Sequence, residues 1–366
     1  MPDPRQPLQH SYAPADVTFL LTPVCIAPTD IAEKERLIQA GEVHYSAMIS
    51  EERRPDARYL KIYEQALERH LTRIAADIAR IALRIRKDIA DGELSPALSL
   101  CSLVRAGIPY GVLLRRALAY LGVDVVHYGV SIIRDRGLDA AAMAHVCAER
   151  PDADILFVDG WTGKGAISSE LTRAWLALSG QTPRLVVLAD PSGHAWLSGS
   201  HDDWLIPSGI LGANVSGLIS RSILRPDLMA PGDFHAAMTV DHLADIDYSR
   251  DFIERVMAGF DAVLVQVTPA ERDLALRTRH QRQAAECVNA IALRHSVDNL
   301  NRVKPGIAEA TRAVLRRRPR KVYLRDADDP DLAALIHLCQ QDDIETEVNP
   351  ELTGPFRAIT LIEKVS

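Results

Sequence analysis

Residues 155–168 read ILFVDGWTGKGAIS, and this stretch decides the fold. Four apolar residues lead to Asp159, a loop rich in glycine follows, and helix-forming residues begin near Ala166. This order predicts a buried strand, a loop with unpaired backbone amides and the start of a helix. Because such amides and the helix dipole both attract anions, the unit predicts a phosphate site. The ATP-binding loop motif fits poorly, since Gly163-Lys164 is followed by Gly165 where that motif has serine or threonine.

The same alternation of strand and helix surrounds this stretch. Apolar segments at residues 97–103, 124–133 and 184–191 are typical of strands, and segments with helical periodicity lie between them. Strands separated by single helices predict an α/β fold with a mainly parallel, doubly wound sheet. In such a sheet the ligand binds beyond the carboxyl ends of the strands. We therefore expect Asp159 and the loop after it to lie at that edge.

Changes in pattern along the chain predict the domain organisation. A length of 366 residues is typical of two domains. We expect a flexible arm over residues 1–15, which contain four prolines, and a main domain over residues 16–260. A strand with the sequence DAVLVQV and a polar helix are expected to form a connection over residues 261–300. A smaller C-terminal domain is expected over residues 301–366.

The composition is that of an ordinary globular protein, with 47% hydrophobic and 25% charged residues. A net charge of −7 argues against a uniformly basic surface for nucleic acid. The first residues lack a signal-peptide pattern, and no apolar run is long enough to span a bilayer, so we expect a cytoplasmic protein without a membrane partner. The five cysteines form no C-x-x-C pair, which favours reduced thiols in the core.

Two further segments lie at predicted strand ends. Arg105-Ala106-Gly107 combines a guanidinium with small-residue amides that could bind a diphosphate. Residues 134–136, Arg-Asp-Arg, look like a charged flap. Together with the loop after Asp159, these segments resemble the type I phosphoribosyltransferases. The resemblance implies that the ligand is phosphoribosyl diphosphate and that the cofactor is Mg²⁺.

The resemblance also implies a role for each residue of the three segments. Asp159 would bind the ribose hydroxyls and Mg²⁺, while Arg105, Ala106 and Gly107 would bind the diphosphate. The loop around the 5-phosphate would comprise Gly160, Thr162, Gly163, Lys164, Gly165 and Ala166. A flap would close over both groups, and the catalytic residues implied are Asp159, Arg105, Arg134 and Arg136.

This chain departs from the family pattern at one position of the loop. The family has two adjacent acids there, and Gly160 occupies the second position. Either the ligand is altered, or another acid such as Asp190 helps to bind the ribose. A separate polar segment matches no strong zinc pattern and is better explained as a turn-rich surface; it contains His194, His201, Asp202 and Asp203.

A closer resemblance covers most of residues 11–320. The motifs, in order, are DVTFLL, GEVHYSAM, SLVRAGIPYGVLLRR, VSIIRDRG, FVDGWTGKGAI, DPSGHAWLSG, IPSGILGANVSGLISRS and DFHAAM. They look like a bacterial phosphoribosyltransferase-like family of tellurite- and stress-associated gene clusters, sometimes labelled cysteine protease StiP. The resemblance implies a nucleoside-like product but leaves the acceptor unidentified.

Two questions of chemistry remain open within that resemblance. Four residues are candidates for binding the acceptor: His44, Tyr45, Arg221 and His235. A polar surface explains His44 and Tyr45 almost as well, Arg221 could equally lie at a helix start, and a turn-rich surface is the alternative for His235. Proteolysis would need a thiolate activated by a histidine. Cys25, Cys101 and Cys147 lie in apolar segments without such a signature, so we expect no protease.

Residues 304–312, KPGIAEATR, open the C-terminal domain at a helix start. The pattern that follows predicts an αβα domain that resembles the pelota-like RNA-binding domains. The residues that would contact RNA by this resemblance are Lys304, Gly306, Glu309 and Arg312. Ala308 replaces an asparagine of the family pattern, which weakens the match. Ten basic and two acidic residues between 294 and 325 predict a basic edge suited to phosphates, although a solvated helix end would look the same.

The expected function is Mg²⁺-dependent transfer of a phosphoribosyl group to an unknown acceptor, with release of diphosphate. RNA is an additional expected partner through the C-terminal domain, and a homodimer is compatible with the sequence. The alternative, supported by the missing second acid, is a non-catalytic sensor that binds nucleotides and RNA.

Overall fold

The computed structural model describes residues 8–364. The α-helices of this part of the chain are α1 Ile31–Gln39, α2 Ala57–Ala90, α3 Ile108–Tyr120, α4 Ala140–Glu149, α5 Ala166–Ser179, α6 Ser249–Ala258, α7 Phe260–Leu264, α8 Leu274–Arg294, α9 Ile307–Arg316, α10 Ala333–Gln341 and α11 Pro350–Thr353. The strands are β1 Thr18–Phe19, β2 Thr22–Pro23, β3 Ala97–Leu103, β4 Asp124–Val130, β5 Ile132–Ile133, β6 Gly137–Leu138, β7 Asp154–Trp161, β8 Leu185–Ala189, β9 Leu197–Ser200, β10 Ala236–Ala237, β11 Val303–Pro305, β12 Pro319–Leu324, β13 Thr346–Val348 and β14 Ala358–Ile362.

The N-terminal domain is built on a six-stranded sheet in the order β1-β4-β3-β7-β8-β9. Every neighbouring pair in it is parallel, so the carboxyl ends of these strands meet at one edge. Alternate residues of β7 point to opposite faces: Leu156 and Val158 pack with residues of α2 and α3, and Phe157 packs with residues of α4 and α5. Helices therefore cover both faces, which confirms the predicted doubly wound α/β fold.

The segment DAVLVQV, predicted as a strand, is largely helical. Helix α7 covers Phe260–Leu264, and Phe260 and Val263 are buried against the core. Val265 is 85% exposed, whereas a strand of period two would have buried it beside Val263. The buried residues Phe260 and Val263 are three positions apart, which is the spacing of one helix face and not of one strand face.

The predicted arm is packed against the core over its described residues. Leu8 and Tyr12 are buried, and the Tyr12 hydroxyl donates a hydrogen bond to the carbonyl oxygen of Val215 at 2.9 Å. Burial of the Leu8 side chain and the Tyr12 ring is favourable, and it holds this segment in place although the prolines had suggested a flexible arm. The prediction of a flexible arm is therefore wrong for residues 8–15, and residues 1–7 lie outside the described residues.

The C-terminal domain contains a four-stranded mixed sheet in the order β11-β14-β12-β13. One face packs on α8, where Val288 and Ile291 contact the cluster around Tyr323. The other face packs on α9 and α10, giving the predicted αβα arrangement. Helix α8, expected to be part of a connection, thus supplies one layer of this domain.

The two domains share a continuous apolar core. Ile307, Ala310 and Val314 of α9 belong to the same buried cluster as residues of α2 in the N-terminal domain. Asp203, in the loop after β9, lies at the start of α9 and accepts hydrogen bonds from the backbone amides of Ile307 at 3.1 Å and Arg357 at 2.7 Å. Gly306 has no side chain to cap this helix, so Asp203 satisfies its first amide from the other domain.

Removal of the Asp203 carboxylate tests this contact. We expect Asp203→Ala to lower the free energy of unfolding by about 2 kcal/mol, because two buried amides lose their acceptor. Denaturation in urea, followed by circular dichroism, measures the change. Asp202→Ala is the matched control: Asp202 is exposed and pairs with Arg73, so its loss should cost less than about 1 kcal/mol. Equal effects of the two substitutions would contradict the capping role.

Candidate functional site

A cavity of about 300 Å³ opens at the carboxyl ends of β3 and β7, where the sequence predicted a ligand site. Most of the predicted site residues line it: Tyr45, Arg105, Ala106, Arg134, Asp159, Thr162, Gly163, Lys164, Gly165, Ala166, Arg221, Lys304, Glu309 and Arg312. Six predicted residues are not among its lining residues: His44, Gly107, Arg136, Gly160, His235 and Gly306. The cavity therefore draws residues from both domains.

Gly107 and Gly160 do not line the cavity, and each lies in close contact with a neighbouring group. A methyl group on Gly107 would lie 2.2 Å from the carbonyl oxygen of Val158 in the adjacent strand. One on Gly160 would lie 2.8 Å from the ring of Tyr110. Both glycines let the chain pass close to a neighbour and so shape the site from behind.

The loop from Thr162 to Ala166 presents unpaired amides to the cavity. Within residues 8–364, the backbone amides of Gly163, Lys164, Gly165 and Ala166 donate no hydrogen bond. Helix α5, 14 residues long, begins directly after the loop, and its dipole adds positive potential there. Gly165 has a φ of +82°, and a methyl group on it would lie 2.4 Å from the ring of His194. Unpaired amides at the start of a helix are suited to an anion.

Asp159 lies near the carboxyl end of β7 and lines this cavity. Its Oδ1 accepts a hydrogen bond from the amide of Gly160 at 2.8 Å, while its Oδ2 has no hydrogen-bond partner within the described part of the chain. Burial raises the pKa of Asp159 to about 7; the Gly160 amide and Arg312 act in the opposite direction, and Glu309 adds to the rise. One carboxylate oxygen is therefore free to contact a ligand.

Asp190 does not replace the missing second acid. It is fully buried, and its carboxylate accepts hydrogen bonds from the Thr162 hydroxyl and from the amides of His194 at 2.8 Å and Ala195 at 2.9 Å. These bonds hold the turn after β8 against the loop that carries Thr162. The suggestion that Asp190 contacts the ribose is wrong, because its acceptor positions are used internally.

Arg105 lines the cavity but is tied to its rear wall. The guanidinium forms an ion pair with Glu52 and donates from Nη1 to the carbonyl oxygen of Ile219 at 2.9 Å. Burial lowers the pKa of Arg105 to about 10. Burial opposes ionisation of Glu52, yet Arg105 and Arg316 hold the pKa of Glu52 at about 2. Glu52 was missed in the sequence, because nothing in the charged run EERRPD distinguishes it from a surface glutamate.

The predicted flap is a tight hairpin formed by β5 and β6. Arg134 lies at its cavity side, where its amide donates to the Tyr45 hydroxyl at 2.9 Å and its guanidinium lies 5.4 Å from the Tyr45 ring centre. Arg136 is exposed at the tip of the hairpin and does not line the cavity. Only the first of the two flap arginines is therefore placed to meet a ligand in this conformation.

Tyr45 and Arg221 both line the cavity and contact each other. Arg221 donates to the carbonyl oxygen of Tyr45 at 2.6 Å, and its guanidinium lies 5.3 Å from the Tyr45 ring centre. His44 lies behind them and bonds through Nδ1 to the Ser46 hydroxyl at 2.8 Å. Burial lowers the pKa of His44. Tyr45 and Arg221 can contact a ligand, while His44 caps the turn that begins at Tyr45.

His235 lies away from the cavity. Its Nδ1 bonds to the Ser131 hydroxyl at 2.8 Å, and its amide donates to Asp139 at 2.6 Å. Burial lowers the pKa of His235. This histidine connects β10 to the segment after β4, and its predicted role in acceptor binding does not agree with that position.

The residues that the resemblance assigned to RNA face inward. Lys304, Glu309 and Arg312 line the cavity, and the Arg312 guanidinium lies 4.6 Å from the centre of the Trp161 ring. Gly306 is buried beside Asp203. These positions do not form an outer surface, because α9 packs against the N-terminal domain. Trp161, which was not predicted as a site residue, positions Arg312 by this stacking contact.

Lys164 connects the loop to the C-terminal domain. Its Nζ donates to the carbonyl oxygens of Leu300 and Val303, the latter at 3.3 Å. Burial, together with Lys304 and Arg134, lowers the pKa of Lys164 to about 7. Its ammonium thus holds the two walls of the cavity together as well as adding positive charge.

The predicted basic edge is largely paired with acids. Arg317 bonds to Glu35 at 2.6 Å, Arg318 lies 3.1 Å from Glu363, and the third pair, Lys321 with Glu347, is 2.9 Å apart. Arg320 is exposed. These ion pairs offset most of the local positive charge that the sequence suggested.

The cysteines are divided between exposed and buried positions. Cys25 and Cys147 are exposed, and Cys101, Cys287 and Cys339 are buried. Burial raises the pKa of Cys101 above its usual range and that of Cys339 to about 12, which disfavours their thiolates. Across residues 8–364, no cysteine lines the cavity and none is hydrogen-bonded to a histidine.

Over the described residues, no group of three or more His, Cys, Asp or Glu side chains is arranged to hold a metal ion. None of the helices in this part of the chain is both long enough and apolar enough to pass through a bilayer.

Known proteins resemble this chain over its whole length or over part of it. A protein of Acinetobacter baylyi, named cysteine protease StiP, is 44% identical over 375 residues, which cover 99% of this chain and 96% of that protein. The crystal structure of the hypoxanthine-guanine phosphoribosyltransferase of Leishmania tarentolae in complex with GMP is 23% identical with a TM-score of 0.27, over 33% of this chain and 69% of that one. The hypoxanthine phosphoribosyltransferase of Trypanosoma cruzi is 17% identical with a TM-score of 0.27, over 35% of this chain and 75% of that one.

Two family models match successive parts of the chain. Residues 282–364 match the PELOTA RNA binding domain, and these residues include the C-terminal part of α8 and the four-stranded sheet. Residues 10–257 match the family described as tellurite-like stress resistance cysteine protease StiP. The chain therefore belongs to the StiP family of tellurite-like stress resistance proteins and carries a PELOTA RNA-binding domain at its C-terminal end.

Proposed function

We propose that this protein binds phosphoribosyl diphosphate in the cavity and transfers the phosphoribosyl group to an acceptor. The bond between the anomeric carbon and the diphosphate oxygen would break, the acceptor atom would bond to that carbon, and diphosphate would leave. The acceptor proton would pass to solvent or to the departing diphosphate. The product would be a nucleoside-like phosphate.

One observation carries the proposal: the unpaired amides of residues 163–166 lie beside the free oxygen of Asp159 at the edge of a parallel sheet. The amides suit the 5-phosphate of such a ligand, and a carboxylate suits its ribose hydroxyls. An apolar ligand would satisfy neither the amides nor the carboxylate. A phosphorylated sugar matches both halves.

Mg²⁺ fits the residues present. This ion takes one or two carboxylates and completes its shell with water and substrate phosphate oxygens. Asp159, with an unpaired Oδ2 facing the cavity, is the residue that would hold it. The bound ion would neutralise charge on the leaving diphosphate.

The protein's own residues would contribute positioning and electrostatics. The loop amides would hold the phosphate, and Asp159 would orient the sugar. Arg134 and Lys304 line the same cavity and would stabilise the charge that develops on the diphosphate. The hairpin that carries Arg134 would help to exclude water, which competes with the acceptor.

Titration of phosphoribosyl diphosphate into the protein by calorimetry, with and without Mg²⁺, tests the proposal. We expect binding that depends on Mg²⁺, and at least about tenfold weaker affinity in Asp159→Asn, because a hydrogen bond to a charged group is lost. The pKa of Asp159 is about 7, so it is mostly protonated at pH 6 and mostly ionised at pH 8. The difference between wild type and Asp159→Asn should therefore be larger at pH 8.

Asp152→Asn is the matched control for this experiment. Asp152 is exposed at the opposite end of β7, so its substitution should leave the affinity unchanged within about twofold. Absence of binding by folded wild-type protein, or equal binding by Asp159→Asn, would contradict the proposal.

A non-catalytic nucleotide-binding protein is the second candidate. It is favoured by Arg105, whose guanidinium is paired with Glu52 and bonded to Ile219 instead of being free to bind a leaving diphosphate. In that case the ligand binds without turnover. Release of diphosphate in a screen of acceptors, measured with inorganic pyrophosphatase, separates the two candidates. RNA as a partner requires a surface other than Lys304, Glu309 and Arg312, which face the cavity.

Proteolysis, the activity in the name of the Acinetobacter baylyi relative, needs a reactive thiolate beside a histidine. We expect Cys25→Ser and Cys147→Ser, the substitutions of the two exposed cysteines, to change the affinity for phosphoribosyl diphosphate by less than about twofold. We also expect neither variant to differ from wild type in hydrolysis of fluorescent casein. Casein hydrolysis by wild type that disappears in one folded variant would support a protease instead.

A further inference from the structure

Glu309 of the C-terminal domain lies at the same cavity as Asp159. It is in the first turn of α9 and is half-buried among the lining residues. The loop and this helix are close neighbours: a methyl group on Gly163 would lie 3.3 Å from Cγ of Glu309 and 3.5 Å from the carbonyl oxygen of Pro305. The start of α9 is therefore packed directly over the loop that follows Asp159.

The Glu309 carboxylate is not held by a hydrogen bond. Over residues 8–364 it accepts none and forms no ion pair within 4.0 Å, and its charged neighbours Lys304, Lys164 and Arg312 interact with it only at longer range. Acids elsewhere on the C-terminal domain behave differently: Glu345 and Glu347 both pair with Lys321. An acid that is half-buried, faces a cavity and lacks a hydrogen-bond partner is placed for contact with a ligand.

A second, independent feature of the cavity also indicates a ligand. Arg105 is 5% exposed, lines the cavity, and has a buried Nε without a hydrogen-bond partner in the described chain. Buried polar atoms without partners are rare in folded proteins, because each costs free energy unless it is satisfied by a ligand or water. The Nε of Arg312, on the same helix as Glu309, is likewise buried without a partner.

We propose that Glu309 supplies the second carboxylate of the ligand site, contacting the ribose hydroxyls opposite Asp159, so that the site is complete only when both domains are present. The inference rests on the proposed binding of phosphoribosyl diphosphate. A glycine occupies the second position of the loop, at residue 160, and Glu309 reaches the same cavity from the other domain. The second carboxylate would thus come from a residue that is distant in sequence and reaches the cavity through the docking of the two domains.

Ribose chemistry explains why two carboxylates are useful. Each hydroxyl of the sugar can donate one hydrogen bond, and an ionised carboxylate is acceptor-only. Hydrogen bonds of this charged type are shorter and stronger than those between neutral groups. Lys304 and Arg312 flank Glu309 in the lining and offset the repulsion between the two acids.

The test compares two ligands that share a phosphate and differ in the sugar: ribose 5-phosphate and inorganic phosphate. We expect Glu309→Gln to weaken ribose 5-phosphate binding at least about tenfold in calorimetry. We expect no loss of inorganic phosphate binding in the same variant, because that ligand has no ribose hydroxyl. Damage to the fold or to the loop would weaken both ligands together.

Two further variants complete the design. Glu309→Asp keeps the charge but shortens the side chain, so its affinity for ribose 5-phosphate should fall between those of wild type and Glu309→Gln. Glu351→Gln, an exposed position in the same domain, is the matched control and should bind like wild type. If Glu309→Gln does not fold, the affinities of Glu309→Asp for ribose 5-phosphate and inorganic phosphate still test whether Glu309 contacts the ribose.

The outcomes separate this inference from the function on which it rests. Binding of phosphoribosyl diphosphate that is lost in Asp159→Asn but unchanged in both Glu309 variants would overturn the role of Glu309 alone. No binding of phosphoribosyl diphosphate by wild type would overturn both. Equal losses for ribose 5-phosphate and inorganic phosphate in Glu309→Gln would also overturn the inference, since the ribose would then play no part.

Discussion

The packing of α9 against the N-terminal domain is the contact on which the cavity depends. Ile307 and Val314 are buried in the core that includes α2, and Asp203 satisfies the first amide of this helix. Once these contacts are made, one face of α9 is fixed over the loop after β7, with Glu309 and Arg312 at the cavity. Because the position of α9 is set by apolar burial and by a buried hydrogen bond, the polar residues at the cavity need no mutual pairing to stay in place. That leaves their charges available for a ligand.

The half of the site formed by the N-terminal domain was predictable because its signals are local. An apolar strand, an aspartate and a glycine-rich loop lie within residues 155–168, and parallel strands bring such loops to one edge whatever the rest of the chain does. The other half was not predictable in this way. The partner of Arg105 is Glu52, and the acid that shares the cavity with Asp159 is Glu309, both far away along the chain. No short pattern reports which of many acids will meet a given strand end, since that depends on how two domains dock.

Short apolar runs set a second limit on prediction. The run DAVLVQV fits a strand of period two and a helix of period near four about equally well, and only the surroundings decide. Here Phe260 precedes the run and packs with Val263 on one side, which leaves Val265 in solvent. The RNA assignment was limited in the same way. The resemblance identified the residues of the motif, but the face that they occupy is covered by the neighbouring domain, and sequence alone carries no information on that contact.

The charges around the cavity favour an anionic ligand over a neutral one. Burial lowers the pKa of Lys304 to about 8, and burial with neighbouring cations lowers that of Lys164 to about 7. A lowered lysine pKa means that the charged form is destabilised where it stands, by lost solvation and by like charge. An anion bound among these groups would stabilise their charged forms and raise both pKa values, with uptake of protons near neutral pH. Asp159 and Glu309 limit this effect and prevent the cavity from attracting every anion equally. A ligand with phosphates at one end and hydroxyls at the other therefore matches the charge distribution better than a simple polyanion does.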